Sequence, residues 1–223
     1  MGKARCLHTR ENGGLLAVPE KRALLWLARK TPRWIHSDHL TLLGLLSMIA
    51  AGAAYWAAAH NRLALILVVP ALAANWLGDS LDGTLARFRD CQRPRYGYYV
   101  DHVIDLLGTA ALLGGLALSG YMNHTLAVLL LAAFALVEAE VFLATHAQRV
   151  FRLSCFCVGP TELRVVLAAG TLLLLRDPWV RLGGKGPFLL FDVGGVVAIG
   201  GLVTAFLFSA VRNTRILYRA EPR

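Results

Sequence analysis

Cysteine and acidic side chains are scarce in this chain. Cys155 and Cys157 are separated by one residue, whereas the cysteine pairs of zinc sites are usually separated by about two to four. The first twenty residues are polar and lack the apolar core of a signal peptide. Aspartate and glutamate number 14 against 23 lysines and arginines, a net charge of +9. These features argue against a structural zinc site and against a secretory leader.

Long apolar runs are the most prominent feature of the sequence. Hydrophobic residues make up 57% of the chain, more than the roughly 45–50% of a soluble domain. A spanning helix needs about 20 mostly apolar residues. We therefore predict an all-α integral membrane protein with six transmembrane helices: Leu40–Ala58, Leu63–Gly78 (continuing to about Arg89), Val100–Leu118, Leu126–Thr145, Val165–Leu175 (from about Thr161) and Leu189–Ala210. The segment "RDPWVRLGGKGP" between the last two reads as an external loop.

The distribution of positive charge orients these spans. All but four of the 23 lysines and arginines lie in the N-terminal region, in the second-to-third and fourth-to-fifth connections, and at the C-terminus. The positive-inside rule places these regions, and both termini, in the cytosol. We predict a cytosolic segment at 1–39, a six-helix domain at 40–212 and a cytosolic tail at 213–223. The charge favours membrane lipids and phosphorylated substrates, and we expect no nucleic acid partner.

The stretch "EKRALLWLARKTPRW" precedes the first span. Leu24, Leu27 and Trp34 alternate there with lysines and arginines, a pattern typical of a helix lying on a membrane surface. We predict an amphipathic interfacial helix over about 20–31, ended by Pro32. The alternative is a cytosolic helix that packs on the bundle.

Aspartates concentrate in the second-to-third connection and the helices beside it. Asp79 and Asp82 are three residues apart, and Asp101 and Asp105 are four apart, so each pair shares one helix face. The polar stretch "FRDCQRPRY" between them suits a cytosolic turn. We therefore expect the two carboxylate faces to meet near the cytosolic membrane surface.

Four converging carboxylates predict bound cations, because like charges at close range cannot all stay ionised alone. Oxygen ligands select Mg2+, Mn2+ or Ca2+, and two such ions can clamp the oxygens of a transferred phosphoryl group. Gly83 and Ala86 leave room for a flat group, Arg87 can hold a phosphate oxygen, and a carboxylate without a full metal load can act as a base. The alternative is ion pairing with nearby arginines, which suits Asp90, flanked by Arg89 and Arg93.

The stretch from Asp79 to Asp105 reads D-x2-D-G-x2-A-R-x9-G-x3-D-x3-D. It closely resembles the signature of the class I CDP-alcohol phosphatidyltransferases, integral membrane enzymes of phospholipid synthesis, and every signature position is present. The resemblance implies a divalent-metal-dependent reaction with two Mg2+ or Mn2+ ions, displacement at a phosphorus of a CDP-linked lipid or alcohol, release of CMP, and a homodimer.

The resemblance also implies roles for single residues. Asp79, Asp82 and Asp101 are expected as metal ligands, and Asp105 as a ligand of the second metal and as the catalytic base. The nucleotide-binding set is expected to comprise Asn75, Asp79, Gly83, Ala86, Arg87 and Gly97.

The alcohol and the donor stay open at this point. One layout in the family transfers a phosphatidyl group from CDP-diacylglycerol to a small polar alcohol, and we take this as the first expectation. The other transfers an aminoalcohol phosphate from CDP-choline or CDP-ethanolamine to diacylglycerol. Asp101-His102 resembles the second layout, although His102 also suits a plain interfacial position.

Four residues are candidates for binding the acceptor: Arg149, Arg152, Glu162 and Arg164. The arginines favour an anionic acceptor or lipid head groups, and Glu162 favours a cationic or hydroxylated acceptor or a helix cap. Glu138 and Glu140 lie within the fourth span, two residues apart, so they cannot share a face. One of them is expected at the polar cavity and the other at a boundary or a subunit contact.

A cation transporter is the rival from another class. Transporters tend to place acids near the membrane midplane and often in repeated halves. The aspartates here cluster at one end of two adjacent helices, which favours the enzyme.

Overall fold

The structure is a computed structural model that describes residues 17–148 and 160–221. These residues are mainly helical. The helices are α1 (Ala17–Lys30), α2 (Ser37–Ala58), α3 (Leu65–Phe88, preceded by a 3-10 turn at Arg62–Ala64), α4 (Pro94–Leu118), α5 (His124–Gln148), α6 (Pro160–Leu174) and α7 (Leu190–Ala220). A two-stranded sheet, β1 (Trp179–Leu182) and β2 (Lys185–Leu189), joins α6 to α7.

Five helices in the described part of the chain are long and apolar enough to cross a membrane: Ser37–Ala58, Arg62–Phe88, Pro94–Leu118, His124–Ala147 and Leu190–Ala220. Large apolar side chains such as Trp56, Leu67, Val128 and Val197 are exposed along them. Outward-facing apolar surface of this extent is expected where lipid is the solvent. The protein is therefore built as an integral membrane protein.

The predicted fifth span, Val165–Leu175, is not confirmed, so five of the six predicted spans are long enough. It corresponds to α6, whose apolar part, Leu163–Leu174, is shorter than a typical spanning helix. Helix α7 continues through Arg212 and Arg219 to Ala220, so most of the predicted tail is helical, and its cytosolic placement stays a prediction. Arginine is a good helix former, so the helix runs on after its apolar stretch has ended.

The predicted external loop instead contains the hairpin of β1 and β2. The strands pair antiparallel, with Trp179 opposite Leu189 and Val180 opposite Phe188. Gly183 and Gly184 form the turn, and both have positive φ, at 55° and 79°. Positive φ at two successive residues suits a tight hairpin turn and favours glycine.

Helix α1 packs on α3. Leu24 and Ala28 are buried in a cluster with Leu81 and Leu85 of α3, while Trp26 on another side of α1 is exposed. The helix predicted at about 20–31 is thus present, and its apolar side contacts the bundle. Its placement on a membrane surface stays a prediction.

Helix α2 lies between α3 and α4 and contacts both over much of its length. Small residues make these contacts close. A methyl group on Gly115 of α4 would lie 1.9 Å from the carbonyl oxygen of Gly52, and one on Gly78 of α3 would lie 2.6 Å from that of Leu40. Backbones this close are typical of helix pairs in membranes. They bring both aspartate-bearing helices against α2.

We predict that Gly115→Ala destabilises the protein, because its methyl group forces α2 and α4 apart. Overpacking of this kind costs about 1–3 kcal/mol. The matched control is Gly114→Ala, since a methyl group there meets nothing within 4 Å. Thermal unfolding in detergent should show a lower Tm for Gly115→Ala and an unchanged or slightly higher Tm for Gly114→Ala. Equal Tm values for the two variants would contradict the close contact.

Candidate active site

The signature aspartates lie on two consecutive helices. Asp79 and Asp82 belong to the C-terminal part of α3, and Asp101 and Asp105 to the N-terminal part of α4. Pro94 begins α4, at the position where its missing N–H costs no helical hydrogen bond. The short connection turns the chain back, so both carboxylate pairs lie at the same end of the bundle.

The connection itself is held by its arginines. Arg89 donates hydrogen bonds to the carbonyl oxygens of Thr31, Pro32 and Ile35, between α1 and α2. Arg93 forms an ion pair with Asp38 at the start of α2. These two arginines therefore engage partners other than Asp90, contrary to the ion pairing predicted for that residue.

Asp90 lies two residues after the end of α3 and has a φ of 52°. It is exposed. Left-handed backbone is tolerated by aspartate and asparagine better than by most residues. Asp90 thus serves the chain reversal.

The four signature carboxylates influence one another electrostatically. Asp82 is buried, at 7% exposure, and its charge is opposed by those of Asp101 and Asp79. Asp105 is exposed at the surface, and Asp79 and Asp101 act on it in the same way. The two helices therefore direct these side chains toward one region, as their spacing predicts.

Asp82 has a partner that the sequence pattern does not reveal. The hydroxyl of Thr41 on α2 donates to Asp82 Oδ2 at 2.8 Å. Thr41 lies far from Asp82 in sequence, within an apolar span, and no motif marks it. A hydroxyl donor fixes the rotamer of a buried carboxylate without neutralising its charge.

Arg164 is the cation nearest the site for which contacts are described. From α6, its Nε donates to Asn75 Oδ1 at 2.7 Å, and its Nη2 donates to Asp79 Oδ2 at 2.7 Å. Asn75 is buried and donates to the carbonyl oxygen of Gly44 on α2 at 3.0 Å. Asn75 thus braces Arg164, while its predicted role toward the nucleotide stays a prediction.

The third guanidinium nitrogen of Arg164 differs from the other two. Arg164 Nη1 is buried and has no hydrogen-bond partner among the described residues. A buried guanidinium nitrogen without an acceptor is costly, and a phosphate or carboxylate would satisfy it.

The donor set fits a hard divalent cation in its chemistry. Four carboxylates that repel one another suit Mg2+ or Mn2+. Within the two described ranges, however, no three or more His, Cys, Asp or Glu side chains are grouped closely enough to hold a metal as they stand. Asp79 is turned to Arg164 and Asp82 to Thr41. Assignment of the metal ligands stays a prediction.

The small residues of the signature leave space beside Arg87. A methyl group on Gly97 would meet nothing within 4 Å, and one on Gly83 would lie 3.3 Å from Arg87 Nη1. Arg87 is exposed, and its Nη2 donates to Thr84 Oγ1 at 3.2 Å. Together with the half-buried Ala86, these residues form an accessible surface with a guanidinium at its edge.

Glu138 of α5 is another residue near the site that lies outside the signature motif. Its Oε2 is buried and has no hydrogen-bond partner in the described ranges, and Glu138 interacts electrostatically with His102 and with Asp105. His102 is held in place, with Nδ1 2.6 Å from the carbonyl oxygen of Tyr98 and its ring 4.8 Å from that of Phe142. Glu138 is therefore the member of its pair that faces the site.

Glu140 points the other way. It is buried, and its carboxylate accepts hydrogen bonds from Ser209 Oγ at 2.8 Å and from Asn213 Nδ2 at 2.7 Å, both on α7. Glu138 and Glu140 thus face different surroundings, as expected for two positions on opposite faces of α5. Glu140 joins two helices of one chain, whereas a boundary or a subunit contact was expected.

The other acceptor candidates are not placed. Arg149 and Arg152 lie outside the described residues. Glu162 belongs to the first turn of α6, but its side chain also lies outside what is described. Arg164 is the one candidate of the four whose contacts are known.

Comparison with known proteins agrees with this geometry. A family model described as CDP-alcohol phosphatidyltransferase matches residues 34–207. The crystal structure of Mycobacterium tuberculosis phosphatidylinositol phosphate synthase (PgsA1) with CDP-DAG bound superposes with a TM-score of 0.60 at 18% sequence identity, over 88% of this chain and 94% of that chain. A comparison with curated protein sequences gave no significant match.

The fold and the signature define a polytopic membrane transferase. More particularly, the chain belongs to the CDP-alcohol phosphatidyltransferase family, because the family model covers most of its length. It is therefore an enzyme of phospholipid biosynthesis, and the transporter interpretation is set aside.

We predict that Arg164→Lys lowers kcat/KM for CMP release. A lysine ammonium cannot contact Asn75 and Asp79 while leaving a third donor for substrate. The loss of one charged hydrogen bond, about 1.5–3 kcal/mol, corresponds to about 10- to 100-fold. Arg176→Lys, on an exposed arginine beyond the other end of α6, is the control. Equal kcat/KM values for Arg164→Lys and the control would show that simultaneous contact with Asn75, Asp79 and substrate is not needed.

Proposed function

We propose that this enzyme transfers a phosphatidyl group from CDP-diacylglycerol to a small polar alcohol and releases CMP, with two divalent ions bound. The observation that supports it best is the convergence of Asp79, Asp82, Asp101 and Asp105 beside the guanidinium of Arg164. Carboxylates that repel one another suit bound metal ions. The neighbouring guanidinium, which has a donor without a described partner, suits a diphosphate bound to those ions.

The donor is held through its diphosphate and its base. The cytidine lies on the open surface of Gly83, Ala86 and Gly97, and Arg87 at its edge binds a diphosphate oxygen. Mg2+ or Mn2+ on the four aspartates would neutralise the diphosphate and stabilise the leaving CMP. Asn75, which we expected at the nucleotide, acts by holding Arg164.

Asp105 takes the proton. The residue is exposed, and a base has to be within reach of the hydroxyl whose proton it takes. The acceptor oxygen forms a bond to the phosphorus that bears the diacylglycerol, the bond from that phosphorus to CMP breaks, and the hydroxyl proton passes to Asp105.

The acceptor binds between α3 and α6. Arg164 Nη1 favours an anionic group on this molecule, because the nitrogen is buried and lacks an acceptor in the part of the chain that the structure describes. Arg149, Arg152 and Glu162 belong to the same proposed subsite. A phosphorylated or carboxylated alcohol fits these residues better than a neutral one.

An aminoalcohol phosphotransferase is the second candidate, and Glu138 is the observation that favours it. Its buried Oε2, which has no donor among the residues that the structure describes, is a natural partner for an ammonium group. In this alternative, CDP-choline or CDP-ethanolamine is the donor and diacylglycerol the acceptor.

The membrane arrangement follows the same reasoning. We propose that α6 is a sixth, shorter membrane segment, that α1 lies at the membrane interface, and that both termini and the active site are on the cytosolic side. The clustering of arginines and lysines in the N-terminal region, the α3–α4 and α5–α6 connections and the end of α7 supports this orientation. The enzyme acts as a homodimer by analogy with its family.

The function is tested by product analysis. Purified protein with Mg2+ is given CDP-diacylglycerol and a panel of alcohols (glycerol, serine, inositol and their phosphate esters), or CDP-choline or CDP-ethanolamine with diacylglycerol, and lipids are identified by mass spectrometry. We expect products in the CDP-diacylglycerol arm. Products only in the other arm would establish the second candidate.

In the same assay Asp105→Asn should lower CMP release by about 100-fold or more, the usual contribution of a general base. Asp90→Asn is a matched control, since it removes a carboxylate of the same connection in a backbone conformation that asparagine tolerates. Retention of activity in Asp105→Asn would remove the proposed base.

Metal removal gives an independent prediction. Dialysis against EDTA should abolish CMP release, and Mg2+ or Mn2+ should restore it, because hard oxygen ligands prefer these ions. Asp82→Asn should raise the metal concentration needed for half-maximal rate. Full activity in EDTA would contradict the metal site, whatever the acceptor.

A further inference from the structure

Glu20 of α1 connects three helices through one carboxylate oxygen. Its Oε1 accepts hydrogen bonds from Trp76 Nε1 at 2.9 Å and Ser80 Oγ at 3.2 Å, both on α3, and from Thr161 Oγ1 of α6 at 3.0 Å. Hydrogen bonds to a charged acceptor are stronger than those between neutral groups. Three donors on one oxygen therefore tie the first turn of α6 to α3.

The residues bound by Glu20 are neighbours of the site. Ser80 follows Asp79 directly, and Thr161 lies three residues before Arg164, one helical turn away. Arg164 in turn contacts Asp79. Polar contacts thus join α3 and α6 at two places. Arg164 contacts Asp79 inside the site, and Glu20 binds donors of both helices at its edge.

The packing of α1 on α3 fixes the position of Glu20. Leu24 and Ala28, one and two turns further along the helix, are buried at 7% and 1% exposure. They pack in one cluster with Leu81 and Leu85 of α3. The carboxylate is therefore anchored by the packing of its own helix and does not depend on α6 for its place.

We propose that Glu20 is a positioning residue that holds the first turn of α6 so that Arg164 faces the acceptor. This assignment rests on the proposed function, in which Arg164 binds the anionic group of the acceptor. Without Glu20, the hydroxyl of Thr161 loses this acceptor, and the polar contacts described between α6 and α3 are then those of Arg164 with Asn75 and Asp79. Acceptor binding then weakens, while the nucleotide surface on α3 and α4 is untouched.

The test compares Glu20→Ala, Glu20→Gln and Thr161→Val with Lys21→Gln, an exposed charge on the same helix. In membranes with CDP-diacylglycerol and the alcohol best accepted in the panel above, Glu20→Ala and Thr161→Val should raise the acceptor KM. Misplacing a binding group costs on the order of 10- to 100-fold. The KM for CDP-diacylglycerol should stay within about twofold in both variants and in Lys21→Gln. Glu20→Gln, which keeps an oxygen acceptor, should restore most of the loss.

A second readout needs no substrate. Amide hydrogen exchange should become faster in the first turn of α6 in Glu20→Ala and stay unchanged in α7. If the wild type makes no CMP but this local effect appears, the proposed function fails and the anchoring by Glu20 stands. A wild-type acceptor KM in Glu20→Ala, an equal rise in both KM values, or unchanged exchange in α6 would each overturn the proposal.

Discussion

The constraint on which this structure depends is the cost of acidic side chains within an apolar helical bundle. A carboxylate there needs donors, a cation or water. Three acids at or beside the site meet this need through hydrogen bonds. Asp82 is bound by Thr41, Asp79 by Arg164, and Glu20 by donors on two helices. Asp105 stays exposed, which suits the one carboxylate that we expect to exchange a proton.

The close glycine contacts of α2 make this arrangement possible. Gly78 touches the backbone of α2 one residue before Asp79, and Gly52 and Gly115 bring α4 to the same helix. With larger residues, α3 and α4 would stand further apart, and Thr41 on α2 would no longer reach Asp82. The charged site thus depends on residues that carry no charge.

The spacing of residues along the sequence was sufficient to predict which side chains share a helix face. The intervals of three and four placed both aspartate pairs on facing helices, and the interval of two placed Glu138 and Glu140 on opposite faces. It could not tell which glutamate faces the site, because that depends on how α5 is rotated against its neighbours.

Thr41 and Glu20 were missed for a related reason. Their partners are 41 and up to 141 residues away, and no local pattern encodes such contacts. The hairpin was missed although Gly183-Gly184 is a turn signal, since Pro187 in β2 weakens the evidence for a strand. The family itself was recognised from the signature, whereas the acceptor depends on side chains outside it.

Helix α6 is shorter than its neighbours, with 15 residues. At about 1.5 Å per residue it extends for about 22 Å, less than the roughly 30 Å of a hydrocarbon core. At its far end the carbonyl oxygen of Leu174 accepts two hydrogen bonds from Arg62, so the helix stops there with its backbone satisfied. Under the proposed membrane arrangement, the bilayer beside α6 thins or water enters beside Arg164. In the second case the proposed anionic acceptor reaches the active site through water and does not cross the hydrocarbon core.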